Sequence, residues 1–191
     1  NNPVFLAIIN FFSYPNAGVS ISAINCSTFV SSTEIKFIPF IHSPNKVFIF
    51  FNEVSNKNII SVVEKKLLNA YGLKTLAKGE ENYVEVYEGD GKKRDSSYHQ
   101  GITWPWLLGL YYNALKNMLK KTKKKDAKKE LETKLEKFIE KTSKTFQKEI
   151  SQNGCIGSIS ELYDSRKPYL PKGTIAQAWS VAEVFRIILN K

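Results

Sequence analysis

The chain has 191 residues, 42% hydrophobic and 24% charged, and carries a net charge of +10 at pH 7. That length can bury one sizeable core, and no run approaches the roughly 18 apolar residues of a membrane-spanning helix. The balance is that of a soluble globular protein, which excludes a helical membrane protein and a fully disordered chain.

The charge is not evenly spread. From Lys116 to Lys148, thirteen lysines stand against five acids, a surplus of eight that supplies most of the net charge. That stretch has no arginine, and its two aromatics, Phe138 and Phe146, sit at apolar helical positions. Arginine forks and stacking rings are what recognise phosphates and bases. Their absence argues against a nucleic-acid partner and favours a solvated helix face.

Cys26 and Cys155 lie far apart and match no metal-ligand spacing. They read as two reduced thiols of a cytoplasmic protein, with no metal and no cofactor. Residues 1–12 are apolar but lack the basic start and small-residue cleavage pattern of an export signal, so they read as mature sequence.

In chain order, residues 1–51 hold only three charged side chains, Glu34, Lys36 and Lys46. Residues 4–9 and 47–51 are short apolar runs, either buried strands or buried helical turns. A turn at Tyr14-Pro15-Asn16-Ala17-Gly18 separates the first from residues 19–30, whose β-branched composition leans to strand. Ser55 or Asn56 can cap a helix with Ile59, Ile60, Val63, Leu67 and Leu68 on one face and Gly72 as its stop. Residues 78–97, with Gly79, Gly89 and Gly91, read as a long functional loop.

A second helix is expected from Trp104-Pro105 to about Lys120, with proline in its tolerated first turn. A lysine-rich helix follows to about Ile150, its apolar stripe formed by Leu131, Leu135, Phe138 and Ile139. A second long loop covers residues 151–174, and a last helix runs from about Ile175 to Leu189. Helices joined by long loops predict a mainly α fold whose site lies where the loops converge. Residues 1–42 stand apart as an atypical, irregular or partly β segment.

Tyr98-His99-Gln100-Gly101-Ile102-Thr103-Trp104-Pro105-Trp106 gathers two of the three tryptophans with a histidine and an amide. Aromatic faces cover the C–H face of a sugar ring, while His, Gln and Asp read its hydroxyls. The same composition also suits a helix start packed into a core. Glu161, in the last long loop, is a candidate general base. Asp164 and Asp95 are candidates to orient water or bind hydroxyls, since inverting glycoside hydrolysis needs two carboxyl groups about 6.5–9.5 Å apart.

The chain resembles the C-terminal amylo-alpha-1,6-glucosidase domain of bacterial and archaeal glycogen debranching enzymes. The resemblance is carried by Tyr71-Gly72-Leu73-Lys74-Thr75-Leu76, Tyr87-Glu88-Gly89-Asp90, Arg94-Asp95 and the stretch from Tyr98 to Gly109. Further along it is carried by Ile159-Ser160-Glu161-Leu162-Tyr163-Asp164 and by Pro171 to Val184. Order and spacing agree over residues 43–189, so 43–191 are expected to form the C-terminal part of a glucosidase domain.

The resemblance implies part of an (α/α)6-barrel and hydrolysis of α-1,6-linked glucose at glycogen branch points with inversion. Glu161 matches the family's base. Asp95, Tyr98, His99, Gln100, Trp104, Trp106, Asp164, Gln177 and Trp179 fall where its motifs line or support the glucose pocket. No metal or cofactor is implied, and the partner is glycogen or an α-glucan oligosaccharide.

Two departures stand out. Ser43-Pro44-Asn45-Lys46 replaces an Arg-Pro-Asn-Gln run, and the family's acid, an aspartate, precedes everything matched. Residues 1–42 contain no aspartate. The chain therefore reads as an N-terminally truncated segment, inactive alone. The alternative is a non-catalytic carbohydrate-binding or assembly module, with homo-oligomers formed through exposed helix faces.

Overall fold

The computed structural model describes residues 53–189, with side chains from residue 59. The expected runs at 4–9, 19–30 and 47–51, the turn at 14–18, the 1–42 segment, Ser43-Pro44-Asn45-Lys46 and Cys26 lie outside the described residues. The described part is mainly helical, with four two-residue strands. None of its helices is long and apolar enough to cross a membrane.

Helix α1 (Glu53–Lys66) buries Ile60 and Val63 on the expected stripe, and the stripe continues into Leu67 just past its end. Gly72 is not its stop. The amides of Leu67 and Leu68 both donate to the Val63 carbonyl at 2.9 Å, and Asn69 then turns the chain. The Asn69 side-chain oxygen accepts the amides of Tyr71 (2.9 Å) and Gly72 (3.2 Å), a local bond that competes with helix continuation. Its Nδ2 donates to Thr103 Oγ1 at 2.7 Å, fixing the turn to a segment 34 positions further along the chain. Gly72 serves a close approach: a Cβ there would lie 2.3 Å from the Trp104 carbonyl oxygen.

The strands β1 (Leu73–Lys74), β2 (Thr103–Trp104), β3 (Leu162–Tyr163) and β4 (Pro171–Lys172) form one antiparallel sheet in chain order. Leu73 faces Trp104, Thr103 faces Tyr163, and Tyr163 faces Pro171. Trp104 is therefore a strand residue, and the helix expected from Trp104-Pro105 begins later, as α3 (Leu107–Lys121). The loop at 78–97 ends in a short helix α2 (Gly91–Ser97), because Asp90 caps it by accepting the Lys93 amide at 2.8 Å.

The lysine-rich helix α4 (Lys125–Gln152) and the last helix α5 (Ala178–Leu189) pack on α3 and on each other, and α1 lies on α3. Leu131, Ile139, Thr142, Ser143, Phe146 and Glu149 form the buried stripe of α4. Leu135 and Phe138 are partly buried beside it. Most of the lysines point outward, as a solvated face requires. Lys134 is the inward exception, meeting Glu64 of α1 at 3.0 Å. The last helix starts at Ala178, after Ile175, and the Gln177 amide just before it donates to the Ile159 carbonyl at 2.9 Å.

Gly72→Ala must push Cβ into the Trp104 backbone, which no rotamer can relieve. It is expected to lower unfolding free energy by about 1–3 kcal/mol, the usual range for overpacking. Urea unfolding measures this, and an unchanged midpoint would refute the close approach.

Candidate active site

The Thr103–Tyr163 pairing lays two loop ends side by side, the run from Ser97 to Ile102 and the run from Ile159 to Glu161. Tyr98 from the first meets Glu161 from the second: its phenol donates to Glu161 Oε1. The other carboxylate oxygen, Oε2, accepts the Thr174 amide at 2.9 Å. The Glu161 amide in turn donates to the Thr174 carbonyl at 2.9 Å. Both side-chain oxygens are thereby fixed in direction, while a carboxylate with about four acceptor sites still has lone pairs to offer.

Gly173 makes this possible. Its φ is +68°, and a Cβ there would sit 2.4 Å from Glu161 Oε2. Only a residue without a side chain brings the backbone this near the carboxylate. Ser180 of α5 donates its hydroxyl to the Glu161 carbonyl at 3.4 Å, tying the same loop to the helical layer.

Around the carboxylate stands a wall of rings. Tyr98 packs edge-on against Trp104 (4.7 Å between centroids), His99 stacks on Trp104 (5.2 Å, 25°), and Tyr87 lies 5.8 Å from Tyr98. The Trp104 indole N–H donates to the Tyr98 carbonyl at 3.3 Å. Burial, the hydrogen bond to Glu161 and its negative charge raise the Tyr98 phenol well above its ordinary range, so it remains a donor. Burial also lowers His99, partly offset by the Glu161 charge, to about 4. A neutral imidazole offers one donor and one acceptor.

The other candidates are placed as follows. Gln100 is partly exposed beside His99, and its carbonyl accepts the Val84 amide at 2.6 Å. Asp95 is exposed on α2, and its charge is felt by the Tyr98 phenol. Gln177 is partly exposed just before α5.

Trp106 stacks on Trp179 (4.0 Å, 18°) and belongs to the buried core, with its indole N–H buried and without a hydrogen-bond partner. Trp104 and Trp106 are only 6% and 5% exposed, so they back the wall and present little ring face. Asp164 is 3% exposed: Oδ1 accepts the Tyr87 amide at 2.9 Å, and Oδ2 lies 4.0 Å from Lys172 Nζ. It pins the Tyr87 loop to the hairpin. Among the described residues no group of three or more His, Cys, Asp or Glu could hold a metal ion. Cys155 is a free thiol.

The amylo-alpha-1,6-glucosidase family model matches residues 41–186. The chain belongs to that family. The match supports a relative of the C-terminal domain of glycogen debranching enzymes. None of the curated proteins compared with the chain matches it. Within this glucosidase-family domain, the described site holds contacts that residue types alone do not announce. Thr174 acts through its backbone amide, which its side-chain type does not reveal. Tyr87 was visible as part of a motif, but nothing in the sequence linked it to Asp164.

The His99 shift has a defined sign. As pH falls from 6.5 toward 4, the unfolded chain takes up a proton that the folded site refuses, so this group's contribution to stability declines. The chain has two histidines, His42 and His99, so NMR titration of the imidazoles separates them readily. His99 is expected to stay neutral at pH 5.5, and a midpoint near 6.5 would contradict its burial beside the rings.

Proposed function

We propose that this chain supplies the base side of a glucose pocket in an (α/α)6-barrel that hydrolyses α-1,6-linked glucose at glycogen branch points with inversion. The observation that carries the reading is the Glu161 carboxylate, held at both oxygens by Tyr98 and the Thr174 amide. In such a reaction an acid protonates the leaving glycosidic oxygen, while a base takes a proton from the water that attacks the anomeric carbon from the opposite face. The bond from that carbon to the leaving oxygen breaks as the bond to water oxygen forms. Glu161 has the directed lone pairs this base role needs.

Neutral His99 can donate to or accept from a sugar hydroxyl, with Gln100, Gln177 and Asp95 as further polar contacts at the rim. Trp104, Trp106 and Trp179 stiffen the wall from behind. Asp164 is a poor candidate for the acid, since its carboxylate already engages Tyr87 and Lys172. The family's acid is an aspartate and residues 1–42 hold none, so the acid is proposed to come from outside the 191 residues, leaving this chain with little or no turnover of its own.

Glucose release from a phosphorylase limit dextrin tests this directly. The chain alone is expected to release little or no glucose. Turnover that vanishes in Glu161→Gln would keep Glu161 as the base and overturn the missing acid. Turnover that survives Glu161→Gln would overturn the base assignment.

A further inference from the structure

Glu149, in the last turn of α4, is a carboxylate that the proposed reaction does not use. It is 2% exposed, among the most buried side chains of the described residues. Burying a carboxylate is costly unless its oxygens are bonded, and these are. Oε1 accepts the Tyr163 phenol at 2.9 Å, and Oε2 accepts Asn153 Nδ2 at 3.2 Å. The Tyr163 ring is fully buried and stacks on Tyr71 (4.5 Å, 21°), and Tyr71 packs edge-on against Phe146 of α4. Burial and the Glu149 charge both raise the Tyr163 and Tyr71 phenols, so both remain protonated donors.

Tyr163 connects this cluster to the site. It is the second residue of β3, which directly follows Glu161, and it pairs with Pro171 of β4. The next residues after β4 are Gly173 and Thr174, whose amide holds Glu161 Oε2. Both ends of the β3–β4 hairpin that touch the carboxylate therefore hang on one ladder, and that ladder is anchored to the helical layer through the Tyr163 phenol.

We infer that Glu149 is a positioning residue for Glu161, setting the β3–β4 hairpin through Tyr163 so that the Thr174 amide meets the carboxylate. This rests on the reading of Glu161 as the base, but its test does not depend on turnover. The readout is the Thr174 amide, followed by its proton shift and hydrogen exchange in the folded chain, with the Val181 amide of α5 as reference.

Tyr163→Phe removes the phenol oxygen and leaves the ring stack. It is expected to move the Thr174 proton toward its position in Glu161→Ala and to speed its exchange roughly tenfold relative to Val181, about the effect of one lost hydrogen bond. Glu149→Ala should do the same, and Glu149→Gln, which keeps an acceptor for Tyr163, should restore most of the wild-type shift. A Thr174 resonance and relative exchange rate unchanged in Tyr163→Phe and Glu149→Ala would overturn the inference, whatever happens to the unfolding midpoint. Loss of the glucosidase reading would instead show in limit-dextrin turnover insensitive to Glu161→Gln, with the amide response intact.

Discussion

The Tyr98–Glu161 hydrogen bond joins two loops that are separated by 63 positions in the chain and share no helix. Without it the carboxylate would lie on a partly exposed loop with only a backbone amide for a partner. With it, the acidic group is set against a wall of Tyr98, His99 and Tyr87 backed by Trp104, where lowered solvation strengthens each polar contact. The β2–β3 pairing of the sheet sets the two loops side by side. Its strands are too short to be stable alone, and they draw their stability from Ile102, Leu162 and Tyr163, all buried against the helical core.

The helices were legible because a buried face repeated every 3.6 residues writes itself into the sequence. Ile60, Val63 and Leu67 in one case, and Leu131 and Ile139 in another, fall where that period puts them. The strands were not legible, since two residues cannot establish an alternation. The sequence pattern at Trp104 consequently looks like a helix start although Trp104 closes β2, and Gly72 has the pattern of a helix stop although it makes room for the Trp104 carbonyl. The short helix α2 was hidden inside a polar loop, although Asp90 before Gly91 is a cap signal that could have revealed it.

For the candidate site, the aromatic and polar composition of residues 98–106 and the motif around Glu161 single out two segments that the structure brings together through the Tyr98–Glu161 bond. What each residue does there was less visible. Asp164 has the chemistry of a catalytic or sugar-binding group, yet its bonds to Tyr87 and Lys172 make it a fastener. Glu149 follows a long run of lysines and solvated acids, and no residue-type argument separates it from them. Only the helix phase that buries it, and the phenol it receives there, set it apart. The lysine surplus that dominates the net charge lies mostly on the outer face of α4.

The central claim is that Tyr98 and Glu161 are energetically coupled, so that the wall and the carboxylate form one unit. A double-mutant cycle on unfolding free energy, using Tyr98→Phe, Glu161→Ala and the pair, measures that coupling without requiring turnover. A coupling energy of about 1.5–3 kcal/mol is expected for a hydrogen bond to a charged acceptor. Additive effects, agreeing within about 0.5 kcal/mol as for independent sites, would contradict it.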